Sequence, residues 1–181
     1  GYMDVISLYQ NNIKRVVAPL GTSFTEEQLK ISWRYTDKPT IMFDGDDAGK
    51  RASYRAAIMS LPLLIPNKSL QFINLPKDND PDSFLKINKL VKLVSLLKKP
   101  IKLLNYIFDV STSGLLLDDA DQKISYDKYL DDLIANIKDK KLKYFYQNEF
   151  KSLFFKKLRT INNNNEIKVT PKKISSLQKK Q

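Results

Sequence analysis

The 181-residue sequence contains no cysteine and no histidine. Without cysteine there can be no disulfide and no thiolate nucleophile. Without either residue there can be no Cys/His zinc site and no Ser-His-Asp triad in this chain, so zinc is not expected here. Any metal has to be held by oxygen ligands, which suits hard ions such as Mg²⁺, Mn²⁺ or Ca²⁺. The sequence also lacks the run of about 20 apolar residues that a membrane-spanning helix takes, and the basic-then-apolar start of a secretory signal. A soluble cytoplasmic protein with no membrane partner is the expectation. Glycine is scarce, with five in all, yet Gly45 and Gly49 fall within one short stretch.

What is present begins with enough apolar residues, 42%, for a real core, in a length that fits one domain or a domain with an appendage. The formal net charge of +11 is unevenly placed. Residues 138–181 hold 13 of the 31 Lys and Arg but only 3 of the 20 Asp and Glu, so the basic character belongs to the C-terminal end. A polyanion partner is one reading. The other is a solvated lysine-rich tail in a compositionally biased sequence, since Lys outnumbers Arg 26 to 5.

Apolar spacing at Met3, Ile6, Tyr9 and Ile13 predicts a helix over residues 2–13, and Val16, Val17 and Ala18 read as a short buried strand. Thr25 with Gln28 makes a capping box for a helix running to about Tyr35. Pro39 stops that helix, "TIMF" forms a strand, a helix covers Asp47 to Ser60, "LQFINL" forms another strand, and Pro81 opens a further helix. Such alternation predicts an α/β fold with parallel strands to about Leu97. From Pro100 the pattern is helical only, with one long stretch from Tyr126 to Leu158, and residues 161–181 read as a mobile basic tail. The expected divisions are 1–97, 98–160 and 161–181.

Asp44 and Asp46 follow directly on "TIMF", at the carboxyl edge where open α/β sheets place ligands. Asp80 and Asp82 straddle Pro81 just beyond the next strand. Parallel neighbours would bring the two acidic pairs together, and converging carboxylates are costly unless cations neutralise them. A divalent ion is the economical compensation. A lone Asp-Gly-Asp also reads as a turn with a helix cap, for which Asp47 is the candidate. An EF-hand is excluded, because Arg55 stands where its bidentate Glu is required. Lys50 and Arg51 flank the acidic edge and are candidates for phosphate or template contact, although an exposed helix face explains them nearly as well.

"GYMDV", "APLGTSFTEEQL", "FDGDDAGKRA" and "LPKDNDPDSF" together resemble, in order and spacing, the Toprim domain of bacterial DNA primases. The resemblance covers residues 1 to about 97, with weaker motifs over the helices beyond. It implies a parallel sheet sandwiched by helices, followed by a small all-α subdomain. The implied activity is nucleotidyl transfer that makes short RNA primers on single-stranded DNA from ribonucleoside triphosphates, with a replicative helicase as partner of the full-length protein. It further implies a two-metal site of Mg²⁺ or Mn²⁺ held by Asp44 and Asp46, with Asp80 and Asp82 assisting and Asp4 in support. In the family a glutamate on a first strand precedes the "GYMDV" glycine, which is here Gly1. The expectation is therefore an N-terminally truncated piece that is inactive by itself. Two other readings stand beside it: another Toprim protein, such as a nuclease or topoisomerase piece, and a non-catalytic nucleic-acid-binding module.

Overall fold

A computed structural model describes residues 1–168 apart from 20 and 22, with side chains described except at 89 and 162–168. The elements are α1 (Tyr2–Gln10), α2 (Glu26–Ser32), β1 (Thr40–Phe43), α3 (Asp47–Ser60), a 3₁₀ turn (Leu61–Leu63), β2 (Gln71–Asn74), α4 (Pro81–Lys98), β3 (Ile101–Lys102), α5 (Leu103–Ser111), α6 (Ala120–Ala135) and α7 (Lys140–Lys168).

The sheet runs β1-β2-β3. β1 and β2 are parallel, with Thr40 opposite Gln71 and Phe43 opposite Asn74, so both strands release their chains at the same edge. Successive side chains of a strand point to opposite faces. Phe72 accordingly enters a large core with Leu29, Trp33, Ala57, Tyr106, Ile107 and Phe150, while Ile73 enters a smaller one with Leu8, Phe84, Leu85 and Leu93. Ile41 and Met42 of β1 divide between the two cores in the same way. The α/β fold with helices on both faces is as expected. The larger core is continuous from α2 and α3 through β2 into α5, α6 and α7.

Local chemistry sets most boundaries. Thr25 and Gln28 form the expected capping box, each side chain accepting from the other's backbone N–H. Trp33 is buried and its indole N–H donates to the Ser69 carbonyl at 3.0 Å. Small residues keep α3 close to β1, with Gly49, Ser53, Ala56, Ala57 and Ser60 all buried.

Five expectations fail. Residues 16–18 are not a strand, and Val17 is 86% exposed; strand backbone needs a neighbouring ladder, and none of the described strands runs beside this segment. α1 ends at Gln10, and the face carrying Met3, Ile6 and Tyr9 is exposed while Leu8 is buried. The region beyond Pro100 is not helical only, because β3 adds an antiparallel edge to β2. The stretch from Tyr126 to Leu158 is two helices rather than one, separated at 136–139. Asp139 accepts the Leu142 N–H at 2.8 Å and so restarts the helix. Finally, α7 continues to Lys168, with Ile161 packed on the large core, so the first part of the expected tail is helical; its remainder, 169–181, lies outside the described residues. Among the described residues no helix is long and apolar enough to cross a membrane.

Candidate active site at the carboxyl edge of the sheet

The two loops that leave β1 and β2 are stitched together by glycine. The Gly45 N–H donates to the Asn79 carbonyl at 2.7 Å, and a Cβ on Gly45 would lie 1.9 Å from the Pro76 carbonyl oxygen. Gly49 is fixed just as tightly, since its Cβ would lie 2.1 Å from the Asp44 carbonyl oxygen. Both positions therefore exclude any side chain. On the other loop Asp78 adopts the left-handed conformation, φ 59°, which Asp tolerates better than most residues.

Asp46, not Asp47, caps α3. Its backbone is extended, and its Oδ1 accepts the Gly49 N–H at 2.6 Å. Asp47 lies inside the first turn and pairs loosely with Lys50 at 3.6 Å. Asp80 repeats the device on α4. Its Oδ1 accepts the Ser83 N–H at 2.6 Å, and its own N–H donates back to Ser83 Oγ at 2.9 Å. The N-termini of two helices thus meet at this edge, and their partial positive charge offsets part of the carboxylate repulsion.

The four sequence-predicted carboxylates do not behave alike. Asp82 is held by Lys86 Nζ at 2.6 Å, and that bond, with a second from Ser7, keeps its carboxyl below the ordinary carboxylate value. Among the described residues Asp44 has no such partner. Partial desolvation, followed by the negative charge of Asp4, Asp80 and Asp46, pushes its carboxyl upward. Asp4 reaches the same edge from α1, where its Oδ1 accepts the Asp82 N–H at 3.4 Å. Asp4, Asp80 and Asp46 are therefore near enough for their charge to act on Asp44, while Asp82 turns toward Lys86.

This donor set is all oxygen and negatively charged, which suits a hard divalent cation chemically. Asp46 and Asp80 each have one carboxylate oxygen engaged in capping, and among the described residues the other accepts no hydrogen bond. Among the described residues no three acidic side chains stand close enough to enclose an ion as they are placed. Lys50 and Arg51 lie on the next turn of α3, exposed beside the acidic edge.

Two contributors were missed from the sequence. Ser83 completes the Asp80 cap, and the Asp-x-x-Ser spacing is a capping signal that could have found it. Asn79 holds Gly45 through its carbonyl, while its side-chain Oδ1 is buried with no hydrogen-bond partner among the described residues. No sequence signal marks that role.

The comparisons with known proteins fall on the same region. A family described as Toprim-like matches residues 1–85. The DNA primase of Rickettsia felis is 38% identical over 160 residues, 88% of this chain and 27% of that protein. The DNA primase of Neisseria meningitidis serogroup A is 35% identical over 154 residues, 84% of this chain and 26% of that protein. A crystal structure of a DNA primase domain from Pseudomonas aeruginosa is 29% identical, with a TM-score of 0.76 over 85% of this chain and 48% of that one. A DnaG primase catalytic domain bound to single-stranded DNA is 27% identical, with a TM-score of 0.75 over 84% of this chain and 49% of that one. The chain thus spans about a quarter of the length of the curated relatives it matches.

Proposed function

Over the region it shares with them the chain belongs to the Toprim-containing DNA primases, and from that premise we propose that it carries the acidic centre of an RNA primer-synthesising nucleotidyltransferase. The observation that carries the proposal is Asp44: a carboxylate at the strand edge, crowded by Asp4, Asp46 and Asp80, with its proton affinity raised and no cationic side chain bonded to it among the described residues.

The reaction is attack of a ribose 3′-hydroxyl on the α-phosphate of a ribonucleoside triphosphate, releasing pyrophosphate. A divalent cation, Mg²⁺ or Mn²⁺, supplies when bound the positive charge that stabilises the phosphoryl oxygens and the leaving group. Asp44 and Asp46 are its principal holders. Asp46 does this with the oxygen that does not cap α3, so the cap fixes the direction of its carboxylate. Asp80 contributes in the same way from α4. Asp82 completes the second pair only on leaving Lys86, and Asp4 lends negative charge from α1. Gly45 and Gly49 hold the two loops near enough for these groups to act on one point. Lys50 and Arg51 offer positive charge to phosphates arriving at the edge. Single-stranded DNA template, ribonucleoside triphosphates, the RNA primer and a replicative helicase are the partners proposed for the longer protein.

The test is a graft. The chain is substituted for the matched segment of the Rickettsia felis primase, and primer synthesis is followed on single-stranded DNA. The proposal expects RNA primers from the graft and a loss of about 100-fold or more with Asp44→Asn. A graft that cleaves DNA without using triphosphates would favour the nuclease reading. Synthesis indifferent to Asp44→Asn would overturn the assignment of the site.

A further inference from the structure

α3 carries a second feature beyond its acidic start. Lys50, Arg51, Tyr54 and Arg55 stand at i, i+1, i+4 and i+5, one contiguous face of the helix. With Val110 of α5 they line an open cleft of about 310 Å³. Lys50 has only the loose pair with Asp47, and among the described residues no carboxylate comes within ion-pair distance of Arg51 or Arg55. Tyr54 is fixed at the cleft because its hydroxyl is bonded to that of Tyr129 on α6, and its burial, with that bond, pushes its phenol pKa upward. An apolar wall under three cations is the chemistry that takes a base and its phosphates together.

We propose that this cleft is a subsite for single-stranded nucleic acid, with Arg51 and Arg55 on phosphates about two nucleotides apart and a base packed against Tyr54 and Val110. Position supports it. With a rise of about 1.5 Å per residue, Arg51 and Arg55 stand about 7.5 and 13.5 Å along α3 from Asp46. At about 3.4 Å per stacked nucleotide, that is two to four nucleotides from the acidic edge. A strand leaving the edge along α3 therefore meets the cleft within its first few residues. The inference rests on the proposed function for where the strand leads, and not for binding itself. It also gives Arg55 and Tyr54 a role that the acidic centre alone does not.

The test is fluorescence anisotropy of a labelled oligothymidylate of about 12 nucleotides, in EDTA and without triphosphates, over a range of salt. Four forms of the full chain are compared: unaltered, Arg51→Gln/Arg55→Gln, Asp44→Asn/Asp46→Asn, and Lys172→Gln/Lys173→Gln/Lys179→Gln/Lys180→Gln. Circular dichroism checks that each is folded. The arginine variant is expected to bind about ten-fold or more weakly near 0.1 M salt, with a salt slope reduced by about 1.4, two phosphate contacts' worth. The aspartate variant is expected to bind at least as well as the unaltered chain, so loss of the metal site and loss of this subsite are told apart. A 5-iododeoxyuridine oligonucleotide should crosslink to Tyr54. Binding that survives the arginine change, vanishes with the four lysines, or crosslinks only within 169–181 overturns the proposal.

Discussion

The amide of Gly45 reaches across the sheet edge to the carbonyl of Asn79 at 2.7 Å, so the loop after β1 and the loop after β2 move as one. That contact leaves no room for a side chain, because the Pro76 oxygen already occupies the place of a Cβ. Gly45→Ala is therefore expected to lower stability by about 1–3 kcal/mol, read as a shift in the denaturant midpoint with unchanged slope. Because it forces the two acidic loops apart, it should also weaken binding of Mn²⁺. Unchanged stability would mean that the loops are not held together in this way.

The pH behaviour of the carboxylates separates them. Asp44 is raised from its ordinary 3.8 by desolvation and by its acidic neighbours. Its proton is thus held more tightly in the folded chain than in the unfolded one. The stability it contributes below that value is lost as pH rises through the higher folded value. Asp82 is lowered by Lys86, so its contribution is present above 3.8 and lost as pH falls through the lower folded value. Carboxyl ¹³C titration should show Asp44 above and Asp82 below the ordinary value. In EDTA near pH 7, Asp44→Asn should raise the melting midpoint by up to about 2 °C, the scale of a surface change of ~0.5 kcal/mol. Lowering of the midpoint would contradict the electrostatic account.

Phe72 of β2 stacks on Tyr106 of α5, with ring centroids 4.1 Å apart and planes 11° apart. The pair sits in the core that joins the sheet to the C-terminal helices. Phe72→Ala is expected to cost about 3–5 kcal/mol. The loss should appear in one cooperative transition, followed alike by helix signal and by Trp33 fluorescence. Two separated transitions in the unaltered protein would show that the shared core does not couple the sheet to α6 and α7.

Much of this was legible in the residues, for reasons that also explain the rest. Pro39, "TIMF" and the small-residue face of α3 are local signals, and they placed β1 and α3 within a residue. The Asp-Gly-Asp-Asp run admits a cap at either Asp46 or Asp47. Only the backbone, extended at Asp46 and helical from Asp47, decides between them. Sequence located four carboxylates at one edge but could not tell that two of them cap helices and one pairs with Lys86, because those partners come from the geometry of the helix starts. A strand at 16–18 fails for the opposite reason: its apolar residues are present, but pairing is a property of neighbours. The two residues of β3 are too few for any periodicity to mark. On α1, spacing indicates a helix without saying which face is covered, and the residues facing inward are not those of the Met3, Ile6 and Tyr9 stripe.

Calorimetric titration of Mn²⁺ reads whether Asp44 and its neighbours hold a cation. The unaltered chain is compared with Asp44→Asn/Asp46→Asn. Asparagine caps a helix as well as aspartate does, so the second substitution keeps the start of α3 and the fold while the pair removes two charges. Saturable heat is expected from the unaltered chain, with its affinity reduced about ten-fold or more in the variant. Identical heats from both would show that these carboxylates do not hold the ion, and the acidic edge would then be a pair of helix caps and nothing more.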